Sequence, residues 1–248
     1  MLEKIDLNCD MGEGYTTDAL IMPLISSANI ACGYHAGGGE LMHQTIRLAM
    51  QYQVAIGAHP SFDDKEGFGR REMQLSREEI HQIVTDQINS IHKAAEAEGA
   101  RLSHVKPHGA LYNMAAKDAM VADAISRAIK EIDASLILYG LPNSSSERSA
   151  AQYGLQFYRE VFSDRTYTDE GLLTPRSHTN AMIETAEQSV EQVLGIILQK
   201  TLLSTTGREI PIKADTVCIH GDGEQAVAFA QVINRALHQN KITISAIK

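Results

Sequence analysis

Strand-like and helix-like segments alternate along the whole 248-residue chain, and this alternation limits the folds that the chain can adopt. Seven segments have the short pattern of a strand, and a helical pattern follows each of them after a short connection. The strand patterns are KIDLNC (4–9), SANIACGYH (27–35), VAIGAHP (54–60), SHVKPHG (103–109), SLILYGL (135–141), LQFYREVF (155–162) and DTVCIHGD (215–222). Strands that alternate with helices are typical of a parallel sheet covered by helices, so the sequence predicts an α/β fold.

The helical segments carry their own boundary signals. Ser76 and Glu79 have the spacing of a capping box, which predicts a long helix over 76–99. Further helices are predicted over 117–132 and 179–200.

No Pro/Gly/Ser-rich linker interrupts this series, so we expect one domain over 1–248. An open doubly wound sheet and a closed (β/α) barrel both fit the alternation. No GxGxxG motif follows the first strand, which removes the best indication of a dinucleotide-binding sheet.

Composition restricts the partners and the compartment. The formal net charge of −9 argues against nucleic-acid binding and against an anionic membrane surface, because both favour a basic protein. The start, MLEKIDLNCD, has no apolar core of a signal peptide, and no apolar run approaches transmembrane length. Three scattered cysteines without a CxxC motif indicate a reducing compartment, so we expect a cytoplasmic protein.

Ionisable residues follow six of the seven predicted strands at the point where each strand ends. They are Asp10, Glu13, His35, His59, Lys106, His108, Asp164, Arg165, His220 and Asp222. In parallel α/β folds the active site lies at the carboxyl ends of the strands. The sequence therefore predicts a functional rim formed by these residues.

The alternation of side chains along a strand extends this prediction into the sheet. If Asp10 points inward, Asp6 and Asn8 do so as well, and His104 lies below Lys106. An unpaired polar group buried in a protein costs on the order of 1–3 kcal/mol. These inward groups are therefore expected to pair with one another or to serve a wet site.

Four arginines occur in loops near this rim, namely Arg70, Arg71, Arg165 and Arg176. Arginine suits the recognition of carboxylate or phosphate, so one or two of them are expected to contact a ligand, and others to form surface salt bridges. The sequence contains no GxxxxGK[ST] motif and therefore no P-loop of its own.

Two kinds of chemistry fit the rim. In the first, Asp10, His35 and His59 bind a divalent metal that activates water, although no HxxxH or HExxH spacing supports such a set. In the second, a carboxylate or a histidine acts as general base on water without a metal. Lys106 and the arginines then stabilise the developing negative charge.

Long motifs in the chain resemble the LamB/YcsF family, in the same order from end to end. The motifs are DLNCDMGEG (6–14), SANIACGYHAG (27–37), GAHPSF (57–62), GFGRR (67–71), VKPHGALYN (105–113), VFSDRTYTDEGLLTPR (161–176) and CIHGD (218–222). The resemblance implies an irregular seven-stranded (β/α) barrel related to the glycoside hydrolase and deacetylase type. Seven strands agree with the number of strand patterns.

The resemblance also implies an activity. It implies the ATP-dependent hydrolytic opening of 5-oxo-L-proline to L-glutamate, carried out as the A subunit of a 5-oxoprolinase with two partner subunits, B and C. ATP is then a co-substrate, bound by this chain or by a partner.

On this basis we assign expected roles to the residues of the rim. Asp10 or Glu13 is the general base, and Lys106 and His108 stabilise charge. His35, His59 and His220 are expected to carry protons or to orient other groups. Arg165 or Arg176 is expected to bind the substrate carboxylate. The other residues expected to bind substrate are Asn8, Arg70, Asp164 and Asp222.

Two other functions stay open. The barrel type also suits a metal-dependent carbohydrate or N-acyl deacetylase, for which zinc and acetate release are the markers. A non-catalytic subunit that binds a lactam or a sugar is the other alternative, and its marker is 5-oxoproline binding without turnover.

Overall fold

The computed structural model describes residues 3–220 and 226–246. Its strands are β1 (Lys4–Met11), β2 (Ser27–Ala31), β3 (Ala55–His59), β4 (Leu102–Val105), β5 (Ile137–Gly140), β6 (Phe157–Phe162), β7 (Thr201–Leu203), β8 (Glu209–Pro211), β9 (Thr216–Ile219) and β10 (Thr243–Ile244). Its α-helices are α1 (Asp18–Ile21), α2 (Gly39–Gln51), α3 (Arg77–Ala97), α4 (Gly109–Lys117), α5 (Ala119–Ile132), α6 (Ser145–Tyr153), α7 (Ala186–Leu194) and α8 (Ala226–Gln239).

Seven parallel strands close into a barrel in the order β1, β2, β3, β4, β5, β6, β9. The barrel closes because β9 pairs in parallel with both β6 and β1. The short β10 pairs with the start of β1, and β7 and β8 form a separate antiparallel hairpin. The seven-stranded barrel predicted from the sequence is confirmed.

The outer face of the strands is apolar and packs against the helices. On β1 the residues Ile5, Leu7 and Cys9 are buried in the same core as residues of α2 and α3 such as Ile46 and Ile88. The capping box predicted at Ser76 is present at the start of α3. Within the described residues, no helix combines the length and the apolar character needed to cross a bilayer.

The inner face of the barrel is polar, and hydrogen bonds between strands connect many of its side chains. The carboxylate of Asp6 accepts hydrogen bonds from the hydroxyls of Ser26 (2.6 Å), Ser27 (2.7 Å), Thr216 (2.6 Å) and Tyr139 (3.0 Å). A buried carboxylate of this kind is tolerated because each of its oxygens has donors. The inward orientation predicted for Asp6 is thus confirmed.

A second polar layer lies above this carboxylate. The Asn29 side-chain nitrogen donates to Asn8 Oδ1 (2.7 Å) and to Asp10 Oδ1 (2.8 Å), and its oxygen lies 2.8 Å from Nε2 of His104. Asn8 in turn donates to the hydroxyl of Thr216 (2.7 Å). These bonds fix the height and orientation of Asp10 at the top of β1.

Gly57 makes room for His104, and we expect Gly57→Ala to destabilise the barrel. A Cβ at position 57 would overlap the His104 ring, so the imidazole would have to leave Asn29. Such overpacking typically costs about 1–3 kcal/mol. The free energy of unfolding in urea measures the loss. Gly195→Ala is the control, because a Cβ there meets only ordinary contact with Thr201 (3.7 Å) and should change stability little.

Two helix predictions need correction. The helix predicted over 179–200 begins only at Ala186, and after Leu194 it continues as a π-helical turn over Gly195–Gln199. The preceding residues run along the loop after β6, where the Ala181 carbonyl accepts from the Arg165 guanidinium (3.3 Å) instead of from a helical N–H. The sequence prediction also missed α4, which begins directly after the fourth strand pattern at Gly109.

Candidate functional site

A cavity of about 350 Å³ opens at the carboxyl ends of the barrel strands. This is the position expected for the active site of a parallel α/β barrel. Its polar lining consists of Asp10, Glu13, His59, Arg70, Glu72, Lys106, His108, Asn113, Lys117, Arg165, Thr174, Arg176 and His220. Apolar side chains such as Phe162 and Leu173 complete the wall.

Lys106 is the central cation of the site. Its ammonium donates to Asp10 Oδ1 (2.8 Å), lies 2.9 Å from Glu160 Oε1 and contacts Cys218 Sγ at 3.0 Å, while only 2% of its side chain is exposed. Burial alone would lower the pKa of Lys106, but the Asp10 and Glu160 carboxylates outweigh it and hold this pKa well above its usual value. The side chain is therefore a fixed positive charge and a poor base.

Asp10 is the anionic counterpart of this cation. Its Oδ1 accepts from Asn29 and Lys106, and its Oδ2 lies 3.3 Å from Nε2 of His59. Burial alone would raise the pKa of Asp10, but His59 and Lys106 outweigh burial and lower it well below the usual value. A carboxylate with a lowered pKa is a weak proton acceptor, so its strongest effect is to hold Lys106 and His59 in place.

Three histidines and a glutamate form a compact group beside Asp10. The ring of His35 stacks on that of His108 with 3.9 Å between centroids, and His59 contacts both rings edge-on. Glu13 Oε1 lies 3.1 Å from His35 Nε2, 3.6 Å from His108 Nδ1 and 4.0 Å from His59 Nε2. Four residues from the ends of four different strands therefore meet at one point.

His220 faces the cavity from the end of β9, the strand that pairs with β1. Its Nδ1 lies 2.7 Å from Asp164 Oδ2, and its ring stacks on Phe162. Burial alone would lower the pKa of His220, but the Asp164 carboxylate outweighs burial and leaves this pKa raised. Because the Asp164 carboxylate accepts a hydrogen bond from Nδ1–H, the pair has the geometry of a base oriented by a carboxylate.

The loop arginines divide into two groups. Arg165 is buried, and its guanidinium donates to the carbonyls of Ala181 (3.3 Å) and Thr174 (2.5 Å). Burial and the neighbouring Arg176 lower the pKa of Arg165 to about 10. Arg71 forms the predicted surface salt bridge with Asp64.

Arg70 and Arg176 are exposed side chains that line the cavity. Arg70 also lies over the ring of Phe68, with 5.0 Å from its guanidinium carbon to the ring centroid. These two arginines are therefore better placed than Arg165 or Arg71 to reach an anionic ligand.

The structure brings most of the predicted site residues together at the cavity or directly behind it. Two of them stand apart. Asn8 lies below the cavity, within the hydrogen-bonded barrel interior, and Asp222 lies outside the described residues. A metal set of Asp10, His35 and His59 stays a prediction. Among the described residues, the donor atoms of Glu13, His35, His59 and His108 form one compact group, and those of Asp10, Cys218 and His220 form another.

Several residues at the site were not singled out from the sequence. Asn29 orients Asp10, Ser61 lies 2.9 Å from His35 Nδ1, and Tyr112 lines the cavity above Glu160. Burial, with the neighbouring Glu160, raises the pKa of the Tyr112 hydroxyl well above its usual value, so Tyr112 stays neutral. Asn29 lies in the motif SANIACGYHAG and Ser61 in the motif GAHPSF. A neutral polar side chain in a single sequence does not by itself indicate a functional role.

Comparisons with known proteins identify relatives of the whole chain. Over 251 residues the chain is 49% identical to the 5-oxoprolinase A subunit of Tolumonas auensis, covering 99% of this chain and 100% of that relative. The crystal structure of a lactam utilization protein from Thermus thermophilus matches with a TM-score of 0.93 and 41% identity, over 98% of this chain and 100% of the other.

More distant structures share the fold alone. A family 4 carbohydrate esterase from Streptomyces lividans, solved in complex with acetate, matches with a TM-score of 0.51 at 14% identity, over 99% of this chain and 93% of that one. The sequence model of the LamB/YcsF family matches residues 5–248. The chain therefore belongs to the LamB/YcsF family.

Proposed function

We propose that the chain is the hydrolytic A subunit of a 5-oxoprolinase, which opens 5-oxo-L-proline to L-glutamate in an ATP-dependent reaction together with partner subunits B and C. The names of its relatives, a 5-oxoprolinase A subunit and a lactam utilization protein, support this proposal. The observation that carries it is the arrangement of Lys106 and His220. A permanent cation and a carboxylate-backed imidazole line one small cavity.

This arrangement suits the hydrolysis of a cyclic amide. The lactam is stabilised by amide resonance, so water attacks it only if the carbonyl oxygen is activated. We propose that ATP phosphorylates this oxygen, and that Lys106 stabilises the negative charge that develops beside it. His220 accepts the proton of the attacking water and returns it to the ring nitrogen as the C–N bond breaks. A second water releases phosphate from the acyl phosphate, so two waters are consumed for each glutamate and ADP formed.

The α-carboxylate of 5-oxoproline needs a cationic partner. Arg176 and Arg70 line the cavity and provide guanidinium groups suited to a carboxylate. We propose Arg176 as the principal clamp, because Arg165 already donates to two backbone carbonyls. Arg165 then acts as a positioning residue that fixes the loop after β6.

The proposal is tested by measuring glutamate formed from 5-oxo-L-proline and ATP with this chain and its B and C partners, each component being omitted in turn. We expect glutamate only with the complete set, and a loss on the order of 10²-fold with Asp10→Asn, because Lys106 loses the counter-charge that lies 2.8 Å from its ammonium. Asp86→Asn, on the exposed face of α3, is the matched control and should leave the rate unchanged. Glutamate formed by the partners alone, or at the normal rate with Asp10→Asn, would refute the proposal.

The same preparations discriminate between the alternatives. Acetate released from an N-acetylated sugar would indicate a deacetylase instead of a 5-oxoprolinase. Binding of 5-oxoproline that survives Asp10→Asn, combined with no turnover in the complete mixture, would indicate a binding subunit.

A further inference from the structure

The group formed by Glu13, His35, His59 and His108 has no part in the reaction proposed above, although its four donor atoms converge. We propose that these four side chains bind a divalent transition-metal cation of the zinc type. The inference depends on the geometry of the four residues and is independent of the proposed reaction.

The contact between His59 and His108 is the first observation. His59 Nδ1 lies 2.7 Å from the Lys106 carbonyl, and His108 Nε2 lies 2.9 Å from the Phe68 carbonyl. A carbonyl can only accept, so both of these nitrogens carry a hydrogen. In neutral rings this leaves lone pairs on His59 Nε2 and His108 Nδ1, yet these two nitrogens lie 2.9 Å apart. Two lone pairs at this distance repel each other unless a cation, either a metal ion or a proton, lies between them, and the Asp10 carboxylate, 3.3 Å from His59 Nε2, adds negative charge at the same point.

Glu13 and His35 repeat this pattern. The Ser61 hydroxyl donates to the Phe62 carbonyl (2.9 Å), so it accepts from His35 Nδ1, which lies 2.9 Å away. The lone pair of His35 Nε2 then faces the Glu13 carboxylate oxygen at 3.1 Å. A second pair of electron-rich atoms thus lies beside the first.

The distances among the four donors suit a single metal ion. All four atoms lie within 4.8 Å of one another. The four separations that involve direct contacts are 2.9, 3.1, 3.6 and 4.0 Å. Tetrahedral zinc with bonds of about 2.0–2.1 Å places its ligand atoms about 3.3 Å apart, which falls within this range. The stacked rings of His35 and His108 are parallel, so one of them has to tilt for both lone pairs to reach the ion.

The surroundings of the donors are those of a metal site. Metal-binding histidines usually donate their other ring N–H to a carbonyl, a carboxylate or a hydroxyl, and all three rings do so here. The four side chains are at most 6% exposed, so the site is preformed and shielded. Three imidazole nitrogens and one carboxylate oxygen favour zinc, cobalt, nickel, iron or manganese over magnesium or calcium. Glu13, His59 and His108 line the cavity, so a bound ion is accessible from it.

The test is metal binding by the full-length chain, without any assay of turnover. The purified protein is stripped with a chelator, equilibrated with zinc chloride, desalted and analysed for metal by mass spectrometry, and zinc affinity is measured by calorimetry. We expect one zinc per chain. Cobalt substituted for zinc should give the visible absorption of a tetrahedral site with nitrogen ligands.

Matched variants separate the site from adventitious binding. His108→Ala and Glu13→Gln should each lower zinc affinity by more than 10-fold, and Ser61→Ala, which only orients His35, should lower it on the order of 10–100-fold. His238→Ala, exposed on α8, should bind like wild type. Circular dichroism confirms that each variant is folded, and Glu13→Gln preserves side-chain shape if His108→Ala does not fold.

Two outcomes would overturn the inference. One is folded wild-type protein that retains less than a tenth of an equivalent of zinc, cobalt, nickel, iron or manganese. The cation between His59 and His108 is then a shared proton. The other is zinc binding that is unchanged in both His108→Ala and Glu13→Gln, which would place the metal elsewhere on the chain.

Discussion

Replacement of Lys106 by methionine is expected to abolish glutamate formation and to destabilise the protein by about 3–5 kcal/mol, the usual cost of breaking a buried ion pair from one side. Methionine keeps the unbranched apolar stem of the side chain but removes the ammonium that lies 2.8 Å from Asp10 and 2.9 Å from Glu160. Two carboxylates are then left without their buried cation. The free energy of unfolding in urea and the rate of glutamate release in the complete mixture measure the two effects.

A second variant separates the catalytic loss from the loss of stability. The double variant Lys106→Met/Glu160→Gln also lacks the Glu160 carboxylate, which is one of the two charges left uncompensated in Lys106→Met. The double variant should therefore be more stable than Lys106→Met alone. The activity should not return, because the cation that stabilises developing charge is still absent and such groups are worth about 10²–10³-fold in rate. Lys130→Met, on the exposed face of α5, is the control and should change neither quantity. Recovery of activity in the double variant would show that Lys106 is purely structural.

His220→Asn is expected to lower kcat by about 10²–10⁴-fold, the usual contribution of a positioned proton acceptor. Asparagine keeps a polar group near Asp164 but cannot accept a proton. His238→Asn serves as the control, since His238 is exposed on α8, and the rate is measured as glutamate release. An unchanged kcat in His220→Asn would assign the proton transfer to another group of the rim.

The pH profile distinguishes this role from a structural one. His220 accepts a proton only when it is neutral, so kcat/KM should fall as the pH drops through its pKa, which lies above the ordinary value of 6.5. In Asp164→Asn the carboxylate that raises this pKa is gone while burial, which lowers it, remains. The acidic limb should therefore move to lower pH, and kcat should fall as well. A purely structural His220 would leave the position of this limb unchanged.

Two further charged groups act on the pKa of His220 besides Asp164: Asp10 raises it and Lys106 lowers it.

The parallel α/β arrangement and the membership of its rim could be predicted because they follow from short-range patterns, whereas the closure into a barrel was expected from the resemblance to the LamB/YcsF family. Each strand ends where its apolar run ends, and the carboxyl ends of parallel strands meet at one edge. This placed Asp10, His59, Lys106 and His220 at one rim before any contact was known. The inward orientation of Asp6 followed from the two-residue period of the strand, and its four donors confirm it.

Which rim residues contact one another depends on the conformation of the loops that follow the strands. Loops lack the periodic pattern of apolar residues from which strands and helices are predicted. Asp10, at the end of β1, was expected to join His35 and His59. Asp10 does lie 3.3 Å from His59, but Gly12, with a φ of +71°, turns the chain after β1 so that the carboxylate of Glu13 is the one that lies 3.1 Å from His35. The ammonium of Lys106, which is 96 residues from Asp10 in sequence, donates to one oxygen of the Asp10 carboxylate. A contact of this separation has no local signature.

The role of Arg165 shows the same limit. Arg165 or Arg176 was expected to be the carboxylate clamp, and this stays a prediction. No local pattern indicated that the loop after β6 folds so that Thr174 and Ala181 present their carbonyls to the Arg165 guanidinium. The helical pattern predicted over 179–200 failed for the same reason. Its first residues serve this loop, and the helix begins only where Thr185 accepts from the N–H of Gln188.

The closure of the barrel has a consequence for how the chain folds. β1 completes its pairing only with β9, and the hydrogen bonds of Asp6 and Asn8 to Thr216 span 210 and 208 residues. Contacts of such separation slow folding, because a large loop must close before they form. During synthesis β1 cannot pair with β9 until almost the whole chain has left the ribosome. Until then, water solvates the hydroxyls, amides and carboxylates on the inner face of the strands that have already been made. Because exposed apolar surface promotes aggregation, we expect the polar interior that positions the site to limit aggregation of the nascent sheet as well.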